Sequence, residues 1–494
     1  MPLTKPRHTN SLTSMTKVII TGFCLAVALL PTVHSAHAAD DRYCIVVSKA
    51  TAGDAHWKPV VAALRDKHHG DVLVYEKSPD ETRAALRKAM PRFICFVAQP
   101  TEAGREFVAT AHHLTRQLDD GPYTGAFWSI ITGYDAEAAL QIVRQKEPLV
   151  VHRVAASTEI ELPLCEEGLW YCELNQGKMV RKLPGGKPKQ EKAPNDTTQA
   201  MVDTLNDYRP QLFVTSGHAS EHDWMLGYRY RNGFFRCQDG QLYGLDTHQH
   251  RFAVHSDNPK VYLPVGNCLI GHIDGRQAMA LAYMKSAGVC QMIGYTVPSW
   301  YGYAGWGMLD YFVEQPGRFT LAEAFVANQA ALVHRLATYF PGAEKSKAGS
   351  RGAARGELSA AAREAGLTWN DADGLLYDRD VLAFYGDPAW EARMAPGPLA
   401  WEQKLSVADG RYQFDIKPLK GEKSFQPINT NGSQRGGRPI VQFLPQRIDP
   451  HSVRIEEGGD LKPVIAGRFL LVPNPGKCDP ARTYRVVFRA DVKK

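Results

Sequence analysis

The sequence has 494 residues, of which 44% are hydrophobic, with 58 Lys and Arg against 52 Asp and Glu. This hydrophobic fraction excludes a chain dominated by disorder and suffices for ordinary protein cores. The formal net charge is +6, and subtracting the three basic residues of the first 38 residues leaves +3. So slight an excess does not indicate nucleic-acid binding. At roughly 100–200 residues per domain, the chain is expected to form two or three domains.

The first 38 residues have the three parts of a secretory signal. Lys5, Arg7 and Lys17 form a basic start, VIITGFCLAVALL is an apolar run, and Ala36-His37-Ala38 is a small-x-small cleavage site. The apolar run of 13 residues is too short for a stable membrane anchor. No later stretch approaches the ~20 continuous apolar residues of a membrane helix. We therefore predict a secreted or periplasmic protein without a membrane span, from which residues 1–38 are removed.

From Tyr43 onward, apolar strand-like runs alternate with helix-like segments. The series begins YCIVVS, HWKPVVAALRDKHHG, DVLVYE, DETRAALRKAM, FICFVAQ, and a second series has strands near PLVVHRVAA, QLFVTSG, KVYLPVGN and VCQMIGYT. Such alternation predicts an α/β fold with a mainly parallel sheet flanked by helices. We expect two subdomains, an N-terminal one at residues 39–155 and a second at residues 156–394.

After Pro396 the pattern changes to short strands separated by turns. RYQFDIKP, PIVQFLP, RFLLVP and TYRVVFRADV are the clearest of them. This pattern predicts an all-β sandwich module at residues 395–494.

Eight cysteines remain once Cys24 of the signal is removed. An exported protein is expected to pair its cysteines, and Cys165 with Cys172 is the pair that we predict as a disulfide. Cys44 and Cys95 lie in apolar strand-like runs and are predicted to be inert buried thiols.

Two histidines and a glutamate follow the strand-like run QLFVTSG. His218, Glu221 and His222 fit H-x-x-E-H, an inverted zinc-peptidase motif. That site needs both histidines on one helical face and a further ligand downstream. His218 instead follows a strand end at Gly217, and no glutamate occurs between Trp224 and Val313. We predict no metal site, and a zinc hydrolase is kept as the less favoured alternative.

A thiol follows the next strand of the series, in KVYLPVGNCLIG, at Cys268. Functional groups in an open α/β sheet gather outside the carboxyl ends of the strands, so His218 and Cys268 are expected to meet there. A neighbouring imidazole favours the thiolate, which can attack a carbonyl. Backbone N–H groups at the Cys268 turn and after His218 are expected to stabilise the oxyanion.

These two motifs, in this order, resemble the gingipain family of clan CD cysteine peptidases, which has a caspase-like fold. The matching residues are Gly217, His218, Ser220, Glu221 and Trp224 in the first motif and Cys268 and Gly271 in the second. The resemblance covers residues 40–394, and the β module occupies the place of the family's immunoglobulin-like domain.

The resemblance implies further site residues. Gly217, Ala219, Gly271 and Trp300 are expected to bind substrate or form the oxyanion site, and Glu159 is expected to orient the histidine. The family has His-Gly where this chain has His218 followed by Ala219. Because of that departure, the alternative function is that of a catalytically inactive binding or envelope-assembly module.

The sequence therefore predicts a secreted cysteine-type endopeptidase. Cys268 is the expected nucleophile, and His218 is the expected general base and acid of a mechanism that passes through a thioester acyl-enzyme. The expected partner is a peptide or protein substrate. No cofactor and no nucleic-acid partner is predicted, and the sequence does not indicate an oligomeric state.

Overall fold

The computed structural model describes residues 42–343 and 357–493. The predicted signal at residues 1–38 lies outside the described residues. Up to residue 192 the strands are β1 (Tyr43–Ser48), β2 (Asp71–Tyr75), β3 (Phe93–Val97), β4 (Phe127–Ile131), β5 (Leu149–Val151), β6 (Arg153–Ala156), β7 (Glu167–Tyr171), β8 (Lys178–Lys182) and β9 (Lys189–Lys192). The next strands are β10 (Leu212–Thr215), β11 (Asp223–Met225), β12 (Phe234–Gln238), β13 (Gln241–Leu245), β14 (Arg251–Ala253), β15 (Lys260–Pro264), β16 (Val289–Tyr295), β17 (Leu382–Tyr385) and β18 (Ala392–Met394).

The C-terminal part contains β19 (Trp401–Ala408), β20 (Arg411–Pro418), β21 (Ile440–Phe443), β22 (Arg454–Glu457), β23 (Val464–Ile465), β24 (Phe469–Val472) and β25 (Tyr484–Arg489). The α-helices are α1 (Lys49–Gly53), α2 (Lys58–His68), α3 (Arg83–Ala89), α4 (Arg105–Arg116), α5 (Ala136–Val143), α6 (Thr198–Asp203), α7 (Met279–Ser286), α8 (Tyr303–Met308), α9 (Leu321–Tyr339), α10 (Ala360–Glu364) and α11 (Trp369–Asp378). No helix within the described ranges is long and apolar enough to cross a membrane.

A twelve-stranded sheet is the centre of the described chain, in the order β2-β1-β3-β4-β17-β16-β15-β10-β6-β7-β8-β9. Neighbouring strands are parallel except at β17–β16, β7–β8 and β8–β9. All residues of β1 and β16 are buried, as expected for strands that helices cover on both faces. The predicted α/β class, with a mainly parallel sheet flanked by helices, is confirmed.

The antiparallel pairing of β16 with β17 divides the parallel strands into two blocks. We call β2, β1, β3, β4 and β17 the first block, and β16, β15, β10, β6 and β7 the second block. Met292 pairs with Tyr385 and Tyr295 with Leu382 across the boundary. Strands within a block share one direction, so the carboxyl ends of the two blocks lie at opposite edges of the sheet.

The C-terminal strands form a four-stranded sheet, β19-β20-β25-β22, and a three-stranded sheet, β21-β24-β23. Their side chains share one core, which includes Phe414, Phe488 and Leu470. Alternate residues of β24 point to opposite faces, and Phe469 and Leu471 pack into the core of the α/β region instead. The predicted all-β sandwich is confirmed, and one of its sheets packs against the α/β region.

The predicted disulfide between Cys165 and Cys172 is absent, because both cysteines are free thiols in the described structure. They flank the two ends of β7, which spans Glu167–Tyr171. A strand rises ~3.3 Å per residue, so its ends lie much farther apart than the ~4.4–6.8 Å between the Cα atoms of a disulfide. The strand between them therefore keeps these thiols apart.

Candidate active site

A cavity of about 380 Å³ lies at the carboxyl ends of the second block. Residues that follow β7, β10, β15 and β16 line it, together with residues near α8 and a loop of the C-terminal sandwich. The lining residues are Glu173, Leu174, Ser216, Gly217, His218, Tyr228, Gly266, Cys268, Ser299, Trp300, Gly302, Trp306, Asn431, Gly432 and Ser433. His218 and Cys268, which follow the neighbouring strands β10 and β15, thus both line this cavity.

His218 lies on a turn directly after β10. Its imidazole is exposed and stacks on the ring of Tyr228, with 4.9 Å between the ring centroids. The turn begins at Gly217, whose φ of +103° is a conformation that residues with a Cβ rarely adopt. The indole of the fully buried Trp224 donates a hydrogen bond to the Ser216 carbonyl at 2.9 Å. The Gly217 turn and Trp224 therefore position His218.

Cys268 is partly exposed, and its sulfur lies among polar groups of the segment that follows β16. The backbone N–H of Ser299 donates to Sγ at 3.3 Å, and the Ser299 hydroxyl lies 3.6 Å from the same sulfur. The Ser299 hydroxyl also donates to the Gly266 carbonyl at 2.9 Å. An N–H group directed at a sulfur atom stabilises the negative charge of a thiolate.

Asn267 connects the two strand ends. Its side-chain nitrogen donates to the Gly217 carbonyl at 3.0 Å, and its side-chain oxygen accepts from the Thr215 hydroxyl at 2.6 Å. The side chain is fully buried, so both hydrogen bonds are shielded from water. Asn267 precedes Cys268 and Gly217 precedes His218, so one buried amide links the two strand ends that carry the thiol and the imidazole.

Other described cysteines differ from Cys268 in their surroundings. Burial raises the pKa of Cys44 to about 12 and the pKa of Cys290 to about 11. Cys237 is partly exposed, but burial raises its pKa to about 11 and its Sγ donates to the Gln277 carbonyl. These thiols are held protonated at neutral pH, which is the state of an unreactive cysteine.

Glu173, which follows β7, brings a buried carboxyl group to the cavity. Its Oε1 accepts a hydrogen bond from the Thr158 hydroxyl at 2.7 Å, and a Cβ added at Gly217 would lie 3.6 Å from its Oε2. Burial raises the pKa of Glu173 to about 7, and the hydroxyls of Thr158 and Ser216 oppose that rise. The carboxyl group therefore changes charge near neutral pH.

The other predicted site residues differ in whether they line the cavity. Trp300 lines the cavity and is 45% exposed, whereas Ala219 lies in an isolated β-bridge with Trp224. Glu159 is exposed and is not among the residues that line the cavity, and its backbone carbonyl accepts a hydrogen bond from Asn431 at 3.4 Å. The carboxyl group that lines the cavity together with His218 is that of Glu173.

The oxyanion role predicted for Gly271 does not fit its geometry. The N–H of Gly271 donates to the Tyr295 carbonyl at 2.8 Å, and its carbonyl accepts from the Tyr385 hydroxyl at 2.8 Å. A Cβ at this position would lie 2.3 Å from the Gly294 carbonyl oxygen. Gly271 is therefore a packing residue against β16, and its N–H is not available to a substrate.

The residues of the H-x-x-E-H motif do not converge. His218 faces the cavity, Glu221 accepts a hydrogen bond from His272 at 2.9 Å, and His222 pairs with Asp274 at 2.9 Å. Within residues 42–343 and 357–493 no group of three or more His, Cys, Asp or Glu side chains could hold a metal ion.

Sequence reasoning missed Asn267, Glu173, Thr158 and the loop at residues 431–433. Asn267 stands directly before Cys268, and Glu173 follows an apolar strand in the same way as His218 does. A search for polar residues at every strand end could have found these two. The loop at residues 431–433 has no such signal, because it reaches the cavity only when the two parts of the chain pack together.

No protein-family model and no curated protein matches the chain. Among solved structures, two gingipain structures are similar to it. The crystal structure of the Arg-specific cysteine proteinase gingipain R is 11% identical with a TM-score of 0.41, and the match covers 88% of this chain and 92% of that chain. The complex of the pro- and mature domains of RgpB from Porphyromonas gingivalis is 10% identical with a TM-score of 0.42, covering 88% and 93%.

Proposed function

We propose that this chain is a cysteine-type peptidase that uses Cys268 and His218. The observation that carries the proposal is that the thiol and the imidazole line one solvent-open cavity, with their strand ends joined by the Asn267 side chain. The N–H of Ser299 supports a thiolate at Cys268. On the basis of residues 1–38, we further propose that the enzyme acts in the periplasm or outside the cell.

The reaction follows from these positions. The Cys268 thiolate attacks the carbonyl carbon of a peptide, whose oxygen becomes an oxyanion. The N–H groups of Leu269 and Gly271 donate to the Val297 and Tyr295 carbonyls and take no part in this step. The C–N bond then breaks as the His218 imidazolium gives its proton to the leaving amine. A water molecule, deprotonated by His218, attacks the resulting thioester, and the carboxylic acid leaves as the thiol is restored.

Glu173 is the charged group that this cavity offers to a substrate. Above a pH of about 7 its carboxyl group is ionised, and a buried carboxylate favours a cationic or hydrogen-bond-donating partner. We therefore propose that a lysine or arginine side chain next to the scissile bond is preferred over an acidic one.

The direct test is proteolysis of heat-denatured casein by the wild-type chain and by Cys268→Ala, His218→Ala and Cys237→Ala. Loss of the nucleophile or of its base should lower the rate by at least ~10³-fold. Cys237→Ala is the matched control, because its partly exposed thiol lies outside the cavity, and it should retain full activity. Alkylation by iodoacetamide, mapped by mass spectrometry, should modify Cys268 faster than Cys237 in the wild-type chain. In the His218→Ala variant, the alkylation of Cys268 should be slower than in the wild type.

Two outcomes would reject this function. Casein cleavage that survives Cys268→Ala and stops with a chelator would support the zinc hydrolase. An inactive wild-type chain, in which Cys268 is alkylated no faster than Cys237, would support the binding or envelope-assembly module that Ala219 keeps open.

A further inference from the structure

The C-terminal sandwich contributes directly to the cavity. Asn431, Gly432 and Ser433, which we call the module loop, lie between β20 and β21 and line the cavity together with Cys268 and His218. The module loop therefore contacts the space that a substrate would occupy, although it belongs to the part of the chain that has the sandwich fold.

Buried ion pairs fix the module loop in place. The Arg435 guanidinium donates to the Asn431 carbonyl at 2.9 Å and to Asp310 at 2.7 Å, and it also pairs with Glu314. Arg438 donates to the same Asp310 carboxylate at 2.7 Å. Only 2% of the Arg435 side chain is exposed. Removal of either partner of such a buried ion pair strongly destabilises a protein, because it leaves the other charge buried and unpaired. The loop is thus held against the segment that follows α8.

The packing of the loop leaves no room for larger residues. Gly432 has a φ of +101°, and a Cβ there would lie 2.3 Å from the ring of Trp306. Gly302 has a φ of +85°, and a Cβ there would lie 2.7 Å from the Ser433 Cβ. Trp306 also lines the cavity, so the loop and the α/β region form one continuous wall.

A chain of hydrogen bonds connects the loop to the acidic group of the cavity. The Asn431 side-chain nitrogen donates to the Thr158 hydroxyl oxygen at 3.0 Å. The Thr158 hydroxyl in turn donates to Glu173 Oε1 at 2.7 Å. Because Asn431 occupies an acceptor site of Thr158, the only hydroxyl proton of Thr158 is directed at the Glu173 carboxyl group.

We propose that the module loop is part of the substrate-binding site and that Asn431 is a positioning residue, which orients Thr158 and thereby the Glu173 carboxyl group toward substrate. This inference rests on the proposed peptidase function. It assigns the C-terminal sandwich a role in substrate selection beyond its packing against the α/β region.

The test compares Asn431→Ala and Asn431→Asp with the wild-type chain, using fluorogenic peptides with lysine, arginine or glutamate before the scissile bond. Neither variant can donate to Thr158, and loss of one hydrogen bond in a relay should raise KM about three- to tenfold for the basic peptides, with kcat nearly unchanged. The preference for basic over acidic peptides should fall by the same factor. Gln426→Ala, which removes an exposed amide elsewhere in the same module, is the matched control and should keep the wild-type constants.

The iodoacetamide reaction at Cys268 should stay unchanged in both Asn431 variants, because the thiol and the imidazole keep their places. Binding of fluorescein-labelled versions of the same peptides to the Cys268→Ala chain, with and without Asn431→Ala, tests the loop without any need for catalysis. Weaker binding of the basic peptides supports the inference, and unchanged binding by a folded variant overturns it. Failure of the peptidase function would show itself separately, as activity that does not depend on Cys268.

Discussion

The two strand blocks of the central sheet use the polar groups at their carboxyl ends in different ways. In the first block, Glu102 accepts hydrogen bonds from the hydroxyls of Ser48 and Thr51 at 2.5 and 2.6 Å and from the N–H of Gln99 at 2.9 Å. In the second block, His218 and Cys268 face an open cavity. Glu102 at one edge is therefore satisfied by neighbouring protein groups, whereas His218 and Cys268 at the other edge face an open cavity.

The direction of the strands explains why the two edges remain separate. Because β16 and β17 are antiparallel, the carboxyl ends of the first block lie at the edge where the strands of the second block begin. The groups that line the cavity accordingly come from the second block, α8 and its preceding turn, and the C-terminal sandwich. We expect substitutions at the first edge to change stability alone, and substitutions at the second edge to change activity as well.

The largest effect on stability is expected from Gly271→Ala, at the base of the second edge. The new methyl group would lie 2.3 Å from the Gly294 carbonyl oxygen, which belongs to the backbone of β16 and cannot move aside cheaply. We expect a loss of about 3 kcal/mol in the free energy of unfolding, measured with urea, and a parallel loss of casein cleavage. Gly275→Ala is the matched control, because a Cβ there meets nothing within 4 Å. Equal stability of the two variants would contradict this account of the packing.

Glu173→Gln should change how stability depends on pH. The pKa of Glu173 is raised from 4.5 to about 7 in the folded chain, mainly by burial. As the pH rises from 4.5 to about 7, this carboxyl group ionises in the unfolded chain but stays protonated in the folded chain. The free energy of unfolding of the wild type therefore falls over this range and stays lower above pH 7. The glutamine variant lacks this loss. Relative to the wild type it should gain roughly 2–3 kcal/mol in the free energy of unfolding between pH 4 and pH 8.

Urea unfolding of both chains at these two pH values checks the prediction. All other titrating groups contribute equally to the two chains, so they cancel in the difference between them. A stability difference that is the same at pH 4 and pH 8 would mean that Glu173 has the same pKa in the folded and the unfolded chain, and would contradict the prediction.

The sequence was sufficient for those features that depend on local pattern and on strand direction. Alternating apolar runs predicted the sheet and the sandwich, and the rule that functional groups follow parallel strands brought His218 and Cys268 together. The role of Glu159 was implied by the family resemblance, and the predicted strands do not include β7, which precedes Glu173. Once β7 is recognised, Glu173 is a strand-end residue of the same kind as His218.

The remaining features depend on contacts between distant segments, which no local pattern reveals. The resemblance implied a substrate-binding or oxyanion role for Gly271, yet the group that lies against it is the backbone of Gly294 in β16. The contact of Asn431 with Thr158 exists only because the sandwich packs against the α/β region. Side-chain chemistry at strand ends was thus predictable, whereas the partners supplied by tertiary packing were not.

The smallest effect is expected from Ser48→Ala, at the edge of the first block. The Ser48 hydroxyl caps α1 by accepting from the Thr51 N–H at 3.0 Å, and it donates to Glu102. Its loss removes the cap and one of the hydrogen bonds to Glu102, which should lower the free energy of unfolding by about 1 kcal/mol. Because this edge does not contribute to the cavity, KM and kcat for the fluorogenic peptides should equal those of the wild type. A change in either constant would show that the two edges are coupled through the sheet, and the separation of roles between the blocks would then be incorrect.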